Sequence, residues 1–189
     1  MGNSLPTKGS SDDEFFKDAN KGQTEDTAFD KAQNYALRLL SARGYSCLGL
    51  RKKLSVHNFS QFSDQIIEHF KENGLLNDVK YAEDLAYSEI SHAKGEWNIR
   101  QKLREKGIDQ EVIDEVVPRI LAENLQESEI LQHEFISRKI KQNFPDGIFE
   151  RKTPEDYKLY DKLLNRILSA CKRRGIKTSF VFEEIDKIM

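Results

Sequence analysis

The chain has 189 residues and a formal net charge of −2, and 33% of its residues are charged against 38% hydrophobic. This size and composition allow one globular domain or a few small modules with modest cores and a heavily charged surface. The apolar runs are shorter than the roughly 18–20 residues that cross a bilayer, and the start lacks the apolar stretch of a secretory signal. Two cysteines are too few for a disulfide framework, which is typical of a reducing compartment. We therefore expect a cytoplasmic protein without membrane association.

The charge is distributed unevenly along the chain. Residues 1–30 hold three lysines and seven acidic residues, a net of 3 − 7 = −4, and show little apolar periodicity. This composition predicts a disordered acidic extension over residues 1–27. The stretches 31–63 and 162–182 contain basic but no acidic residues, which predicts local positive surfaces that attract phosphate or an acidic partner.

Apolar residues recur with helical spacing from Phe29 to the end of the chain. Few prolines and glycines interrupt this pattern, and Asn77 is a candidate helix cap. Pro118 predicts a kink or a break, because proline lacks the N–H that a helix interior uses. The predicted apolar positions include Ala32, Ala36 and Leu39; Leu50 and Leu54; Ile66, Ile67 and Phe70; Ala82 and Ala86; Ile99 and Leu103; Ile113, Val116 and Val117; Ile130, Phe135, Ile136 and Ile140; Leu159, Leu163, Leu164 and Ile167; and Val181, Phe182, Ile185 and Ile188.

The helical pattern occurs in three rounds. Leu50, Arg51 and Leu54 align with Ile99, Arg100 and Leu103, and the turn Lys106-Gly107-Ile108 aligns with Arg174-Gly175-Ile176. One three-helix unit buries little surface, so neighbouring units are expected to stack. We predict an all-α fold, an elongated tandem array of three-helix repeats at residues 28–76, 77–120 and 121–189, with a loop insertion near 143–158. The alternative is that unrelated amphipathic helices produce the same matches without a repeat.

The motifs of common catalytic and cofactor sites do not occur in the sequence. Neither GxxxxGK[ST] nor GxGxxG is present, and the four histidines lie apart from one another and from the cysteines. Cys47 lies near a predicted helix start and Cys171 beside three basic residues, and both settings favour a thiolate. For Cys47 we favour burial on an apolar face instead, and no general base lies near Cys171 in the sequence. We predict a protein that is not an enzyme and needs neither a cofactor nor a metal.

The middle of the chain resembles a known protein family. The run GLLNDVKYA from Gly74 to Ala82 resembles the GxLxDxxFA signature of the bacterial RecX family, with Asn77 in place of the first of two common aspartates. The resemblance covers residues 30–117 well and residues 123–189 more weakly. Matching residues in the first two repeats are Ala36–Leu40, Arg43, Ser46, Leu50–Leu54, Lys94-Gly95, Ile99, Leu103 and Lys106-Gly107-Ile108.

The resemblance implies a regulatory protein of recombination. RecX-like proteins are all-helical arrays that bind the RecA–DNA filament, which implies RecA protein and the RecA–single-stranded DNA filament as partners. It further implies modulation of RecA activity in recombination and DNA repair and a link to the SOS response. The family includes members that inhibit RecA and members that assist it, and we expect inhibition. We expect a monomer. Two alternatives remain open, namely a helical protein that binds DNA directly and a helical scaffold for protein interactions.

The candidate binding surface consists of basic side chains together with one aromatic residue. Trp97 has two interpretations: it stacks on a base or fills a partner's pocket, or it packs between helices, which we favour. Tyr81 has the same two interpretations, and its place on an apolar stripe favours the core. We predict filament or DNA contacts from Arg43, Arg51, Lys52, Lys53, Trp97, Arg100, Lys102, Arg104, Lys106, Arg138, Lys139, Lys172, Arg173, Arg174 and Lys177.

Overall fold

A computed structural model of the protein describes residues 28–148 and 150–188. These residues form nine α-helices and one short 3₁₀-helix at Ser60–Phe62, with no strand among them. The helices are α1 (Ala28–Ala42), α2 (Cys47–Val56), α3 (Ser63–Glu72), α4 (Asp78–Ser91), α5 (Glu96–Glu105), α6 (Gln110–Glu123), α7 (Leu125–Asn143), α8 (Pro154–Lys172) and α9 (Thr178–Ile188). The predicted all-α fold is therefore confirmed. The acidic extension predicted at residues 1–27 lies outside the described residues.

The helices form three groups of three, and each group has its own buried core. We call α1–α3 unit 1, α4–α6 unit 2 and α7–α9 unit 3. The prediction of three-helix repeats is confirmed, whereas the residue boundaries proposed for them stay predictions. Fully buried apolar side chains in the three units are Leu50, Leu54 and Phe70; Ile99, Leu103 and Ile113; and Ile136, Ile167 and Val181. Four predicted apolar positions are instead exposed, namely Ile130, Leu159, Phe182 and Ile188.

The second helix of each unit ends in the same turn. After α5, the Ile108 N–H donates to the Leu103 carbonyl (3.1 Å) and Gly107 has a φ of +74°. After α8, Gly175 occupies the equivalent position with a φ of +67°. Glycine adopts this left-handed conformation without steric cost, which explains the two glycine turns that align in the sequence. In unit 1 the same position is Asn58, with a φ of +61°, and the sequence alignment missed it.

Neighbouring units are in contact at one kind of junction. The start of the second helix in one unit packs against the turn that follows the second helix of the next unit. Ser46, the cap of α2, donates its hydroxyl to the Lys106 carbonyl (2.6 Å). Gly95, at the start of α5, donates its N–H to the Arg174 carbonyl (2.7 Å). A Cβ on Gly107 would lie 2.1 Å from the Leu48 side chain, and a Cβ on Gly95 would lie 1.9 Å from the Gly175 carbonyl oxygen. Glycine is therefore required at both junctions by close approach.

The predicted break at Pro118 does not occur, and a kink there stays a prediction. Helix α6 continues through Pro118 to Glu123. Pro118 lies on the exposed face of α6, where the proline ring does not disturb the core. The segment between α7 and α8 lies within the predicted insertion near 143–158, and residues 154–158 belong to α8. Thr153 and Asp156 form a capping box that starts α8 at Pro154.

A buried carboxylate fastens the last helix to α7. Glu184 of α9 is 8% exposed, and its oxygens accept hydrogen bonds from Ser137 (2.7 Å) and Lys187 (2.5 Å). The Nδ1 atom of His133 lies 2.8 Å from the same carboxylate. Burial disfavours the charged form of Glu184, but the hydrogen bonds from Lys187, Ser137 and His133 outweigh burial, so its pKa is lowered.

Candidate functional site

Four of the predicted binding residues converge at the junction of units 1 and 2. Arg43, Lys52, Lys53 and Lys106 line one depression of about 380 Å³, which we call the basic groove. Their cationic side chains come from three segments: the α1–α2 loop, α2 and the end of α5. The remaining lining residues are Gly44, Tyr45, Ser46, Gly49, Val56 and Tyr81, none of them acidic. Because the lining is positive and partly aromatic, the groove suits a phosphate-bearing or acidic partner.

Capping interactions at the start of α2 bring these segments together. The Ser46 hydroxyl accepts from the Gly49 N–H (3.0 Å) while donating to the Lys106 carbonyl. The Cys47 N–H donates to Asp78 Oδ1 (2.8 Å) at the start of α4. The bonds of Ser46 to Lys106 and of Cys47 to Asp78 both join unit 1 to unit 2. The first of them fixes the end of α5 beside the basic face of α2. The groove is thus a product of the unit junction rather than of one helix.

Aromatic side chains shape the groove. The Arg43 guanidinium carbon lies 4.8 Å from the ring centre of Tyr45, and its Nε donates to the Tyr45 hydroxyl (2.8 Å). This contact holds the Arg43 side chain along the groove wall. Tyr81 packs partly against the core of unit 2 and also borders the groove, and burial raises the pKa of its hydroxyl. Its packing supports the core interpretation of Tyr81, and contact with a base or a partner stays a prediction.

Several other predicted binding residues are neutralised by carboxylates. Arg51 is paired with Asp64 (2.5 Å). Arg100 lies 2.7 Å from Glu96 and 2.6 Å from Asp114, and the hydrogen bond that it donates to Glu96 is the main reason why the pKa of Arg100 is raised. Asp114 is 14 residues from Arg100 along the chain, so the pairing was invisible in the sequence. On α5 the free positive charge is accordingly smaller than the sequence indicates. Arg104 donates to the neutral Gln110 side chain (3.1 Å), and Lys102 is half-buried.

At the junction of units 2 and 3, Arg174 is a structural residue. Its guanidinium donates to the His92 carbonyl and lies 4.2 Å from the ring centre of Phe135. Lys139 and Arg138 line a cavity of about 290 Å³ beside it. Lys139 donates to Gln142 (2.9 Å), whereas Arg138 makes one long bond to its own helix (3.4 Å). The cations here are therefore partly used in packing.

The remaining predicted residues lie on open surface. Lys172, Arg173 and Lys177 are exposed around the turn that follows α8. Trp97 is 63% exposed on the first turn of α5. The prediction that Trp97 packs between helices is therefore wrong, because the α5 positions that face the core are occupied by Ile99 and Leu103. An exposed indole of this kind is available to a base or to a partner's pocket.

The cysteines are not activated. Burial, together with a hydrogen bond and the charge of Asp78, raises the pKa of Cys47 to about 12. Burial also raises the pKa of Cys171 to about 11 despite the positive charges of Arg174 and Lys139. At Cys171, burial outweighs the neighbouring cations that would favour a thiolate. In the part of the chain that the structure describes, no cluster of three His, Cys, Asp or Glu side chains is placed to hold a metal. Within the same ranges, no helix is both long and apolar enough to cross a bilayer.

Comparison with known proteins gives consistent matches. Residues 77–117 match the family model of the second three-helix domain of RecX. The chain is 33% identical to the regulatory protein RecX of Haemophilus influenzae strain PittEE over 140 residues, covering 73% of this chain and 84% of the relative. It is 30% identical to the regulatory protein RecX of Trichlorobacter lovleyi over 155 residues, covering 80% of this chain and 92% of the relative. The fold is similar to the crystal structure of RecX from Lactobacillus salivarius, with a TM-score of 0.60, 20% identity and coverage of 85% of this chain and 96% of that one. The chain belongs to the RecX family.

Proposed function

We propose that this protein binds the RecA–DNA filament and inhibits RecA activity in recombination and DNA repair. We further propose that it acts as a monomer in the cytoplasm. Family membership supports this role, and the basic groove formed by Arg43, Lys52, Lys53 and Lys106 is the observation that carries the site. The role needs a binding surface rather than a catalytic centre.

The groove is assigned to the filament because its cations are concentrated and its lining contains no carboxylate. Exposed cations paired with acids, such as Arg51 with Asp64, have little field left to attract a partner. Convergent positive charge raises the association rate with a polyanionic or acidic surface, and this effect falls with ionic strength. The groove therefore carries the main electrostatic contact in this proposal.

The repeated architecture suits a long polymer as the target. Three units in series present the basic groove, the junction of units 2 and 3, and the turn after α8 to one extended partner. Individually weak contacts that are linked in one chain act at high effective concentration.

A retention experiment with three immobilised targets tests the proposal. RecA–single-stranded DNA filament, free RecA and bare single-stranded DNA are each offered to the purified protein, and retention is measured with rising salt. We expect the highest retention on the filament, and a decrease in the DNA-dependent ATPase rate of RecA. Equal retention on bare DNA and on filament would favour the direct DNA-binding alternative. The absence of retention on all three would leave the scaffold interpretation.

A further inference from the structure

A second basic surface lies on α8, away from the basic groove. Lys162, Asn165, Arg166, Ser169 and Arg173 line one shallow depression of about 470 Å³ along the helix. Three of these residues are cations and the other two carry neutral hydrogen-bonding groups. Only Arg173 was among the binding residues predicted from the sequence. We call this surface the α8 stripe.

The cations of the α8 stripe are unneutralised, unlike those of α5. Among the described residues, Lys162, Arg166 and Arg173 form no side-chain ion pair or hydrogen bond, whereas Arg100 and Arg119 each contact carboxylates of their neighbourhood. The acidic residue nearest to the stripe in the sequence is Asp161, which directly precedes Lys162. One residue corresponds to about 100° of rotation around the helix axis, so Asp161 lies toward the edge of the stripe. The stripe therefore retains a positive field that no internal partner uses.

The spacing of these cations suits the backbone of a nucleic-acid strand. At about 1.5 Å of rise per residue, Lys162 and Arg166 are separated by about 6 Å along the axis, and Arg166 and Arg173 by about 10.5 Å. Cations aligned along one depression track the backbone phosphates of a single strand. Asn165 and Ser169 lie between them and can donate to further phosphate oxygens.

Trp97 lies at the C-terminal end of the stripe. Its neighbour Asn98 donates its side-chain amide to the Arg173 carbonyl (2.9 Å). Since consecutive Cα atoms are 3.8 Å apart, this bond places the Trp97 Cα within about 11 Å of that carbonyl. The Trp97 ring is 63% exposed. An exposed indole next to phosphate-binding cations is the arrangement with which proteins hold single strands, whose bases are free to stack.

We propose that the α8 stripe binds single-stranded nucleic acid directly, with phosphates on Lys162, Arg166 and Arg173 and a base stacked on Trp97. This inference rests on the proposed function for the source of the strand, because single-stranded DNA is the polymer inside the filament. It goes further in assigning one face of the protein to the strand itself, while the basic groove contacts the filament as a whole.

The chain contains a single tryptophan, so the fluorescence of Trp97 reports on the site without a label. The full chain is titrated with a dT15 oligonucleotide, with a 15-base-pair duplex and with heparin, in the absence of RecA. We expect dT15 to quench the fluorescence and both other polyanions to bind without comparable quenching. In Lys162→Glu/Arg166→Glu the dT15 affinity should fall by about tenfold or more. Arg38→Glu, an exposed cation on α1, is the control and should change it less than twofold.

Unchanged dT15 affinity in the double variant would overturn the proposal, as would equal quenching by heparin, which has no bases. Tighter binding of the duplex without quenching would also overturn it in favour of duplex binding. Circular dichroism spectra and melting curves that match those of the wild type confirm that the variant folds. Since RecA is absent, this result is independent of the filament assay. If dT15 quenches Trp97 but the filament is not retained, the proposed function fails while the α8 stripe remains.

Discussion

At the residue scale, the surroundings of a side chain decide its role more than its charge does. Lys172, Arg173 and Arg174 form one basic triplet in the sequence, yet their positions differ. Lys172 and Arg173 are exposed, whereas Arg174 crosses the junction to the His92 carbonyl and the Phe135 ring. A binding surface inferred from the triplet as a whole therefore combines contact residues with a packing residue.

This difference predicts unequal stability effects within the triplet. Arg174→Ala removes a hydrogen bond to a carbonyl and a cation–π contact, and should lower the free energy of unfolding by about 1–3 kcal/mol. Lys172→Ala changes only an exposed side chain and should stay within about 0.5 kcal/mol of the wild type. Urea unfolding followed by circular dichroism measures both. Equal stability of the two variants would show that Arg174 does not hold the junction.

The buried carboxylate of Glu184 predicts a pH dependence. Because its pKa is lowered on folding, ionised Glu184 stabilises the protein above the unfolded pKa, and this contribution is lost as pH falls through the folded pKa. Glu184→Gln should lower the melting temperature at pH 7, and the difference from the wild type should shrink between about pH 5 and pH 3. A melting-temperature difference that stays constant over this range would contradict the assignment.

At the element scale, local sequence rules predict where helices begin, whereas they do not predict the contacts at the junctions between units. Capping by Ser46, Asn77 and Thr153, each accepting a backbone N–H at the start of a helix, is readable from residue type. Asn77 caps α4 as an aspartate does, so the departure from the family signature is conservative. The contact of Gly95 with the Gly175 turn joins residues 80 positions apart, and no sequence pattern within one helix predicts it.

The junction makes a specific prediction for glycine substitutions. Gly95→Ala inserts a Cβ 1.9 Å from the Gly175 carbonyl oxygen, a backbone atom that cannot move aside cheaply. We expect a loss of about 2–4 kcal/mol in the free energy of unfolding, as for other overpacked sites. Gly44→Ala is the matched control, because its Cβ would sit 3.5 Å from the Tyr81 ring in ordinary contact. Differential scanning calorimetry that ranks the two variants equally would contradict the close-packed junction.

At the scale of the whole molecule, the fold class and the three-repeat plan were predictable from the sequence, since helical periodicity and the recurring glycine turn carry both. The binding surface was predictable only in part. Lys52 and Lys53 join Arg43 and Lys106 in one groove, but the pairing of Arg51 with Asp64 and of Arg100 with Asp114 depends on how helices pack. Charge runs locate basic segments, and tertiary structure decides which of their cations meet a carboxylate, as Arg51 and Arg100 do.

The central claim is that the basic groove contacts the RecA–DNA filament, and a matched pair of charge reversals tests it most directly. Lys52→Glu/Lys53→Glu alters the groove, and Lys31→Glu/Arg38→Glu makes the same change in net charge on exposed positions of α1. Filament affinity is measured at several salt concentrations, with circular dichroism as the folding check.

We expect the groove variant to bind the filament about tenfold more weakly or worse, with a shallower salt dependence, because two contacts with the polyanion are lost. The α1 variant should bind within about twofold of the wild type, since general electrostatic attraction is screened beyond the Debye length. Equal losses in both variants, or no loss in either, would contradict the assignment of the groove as the contact surface.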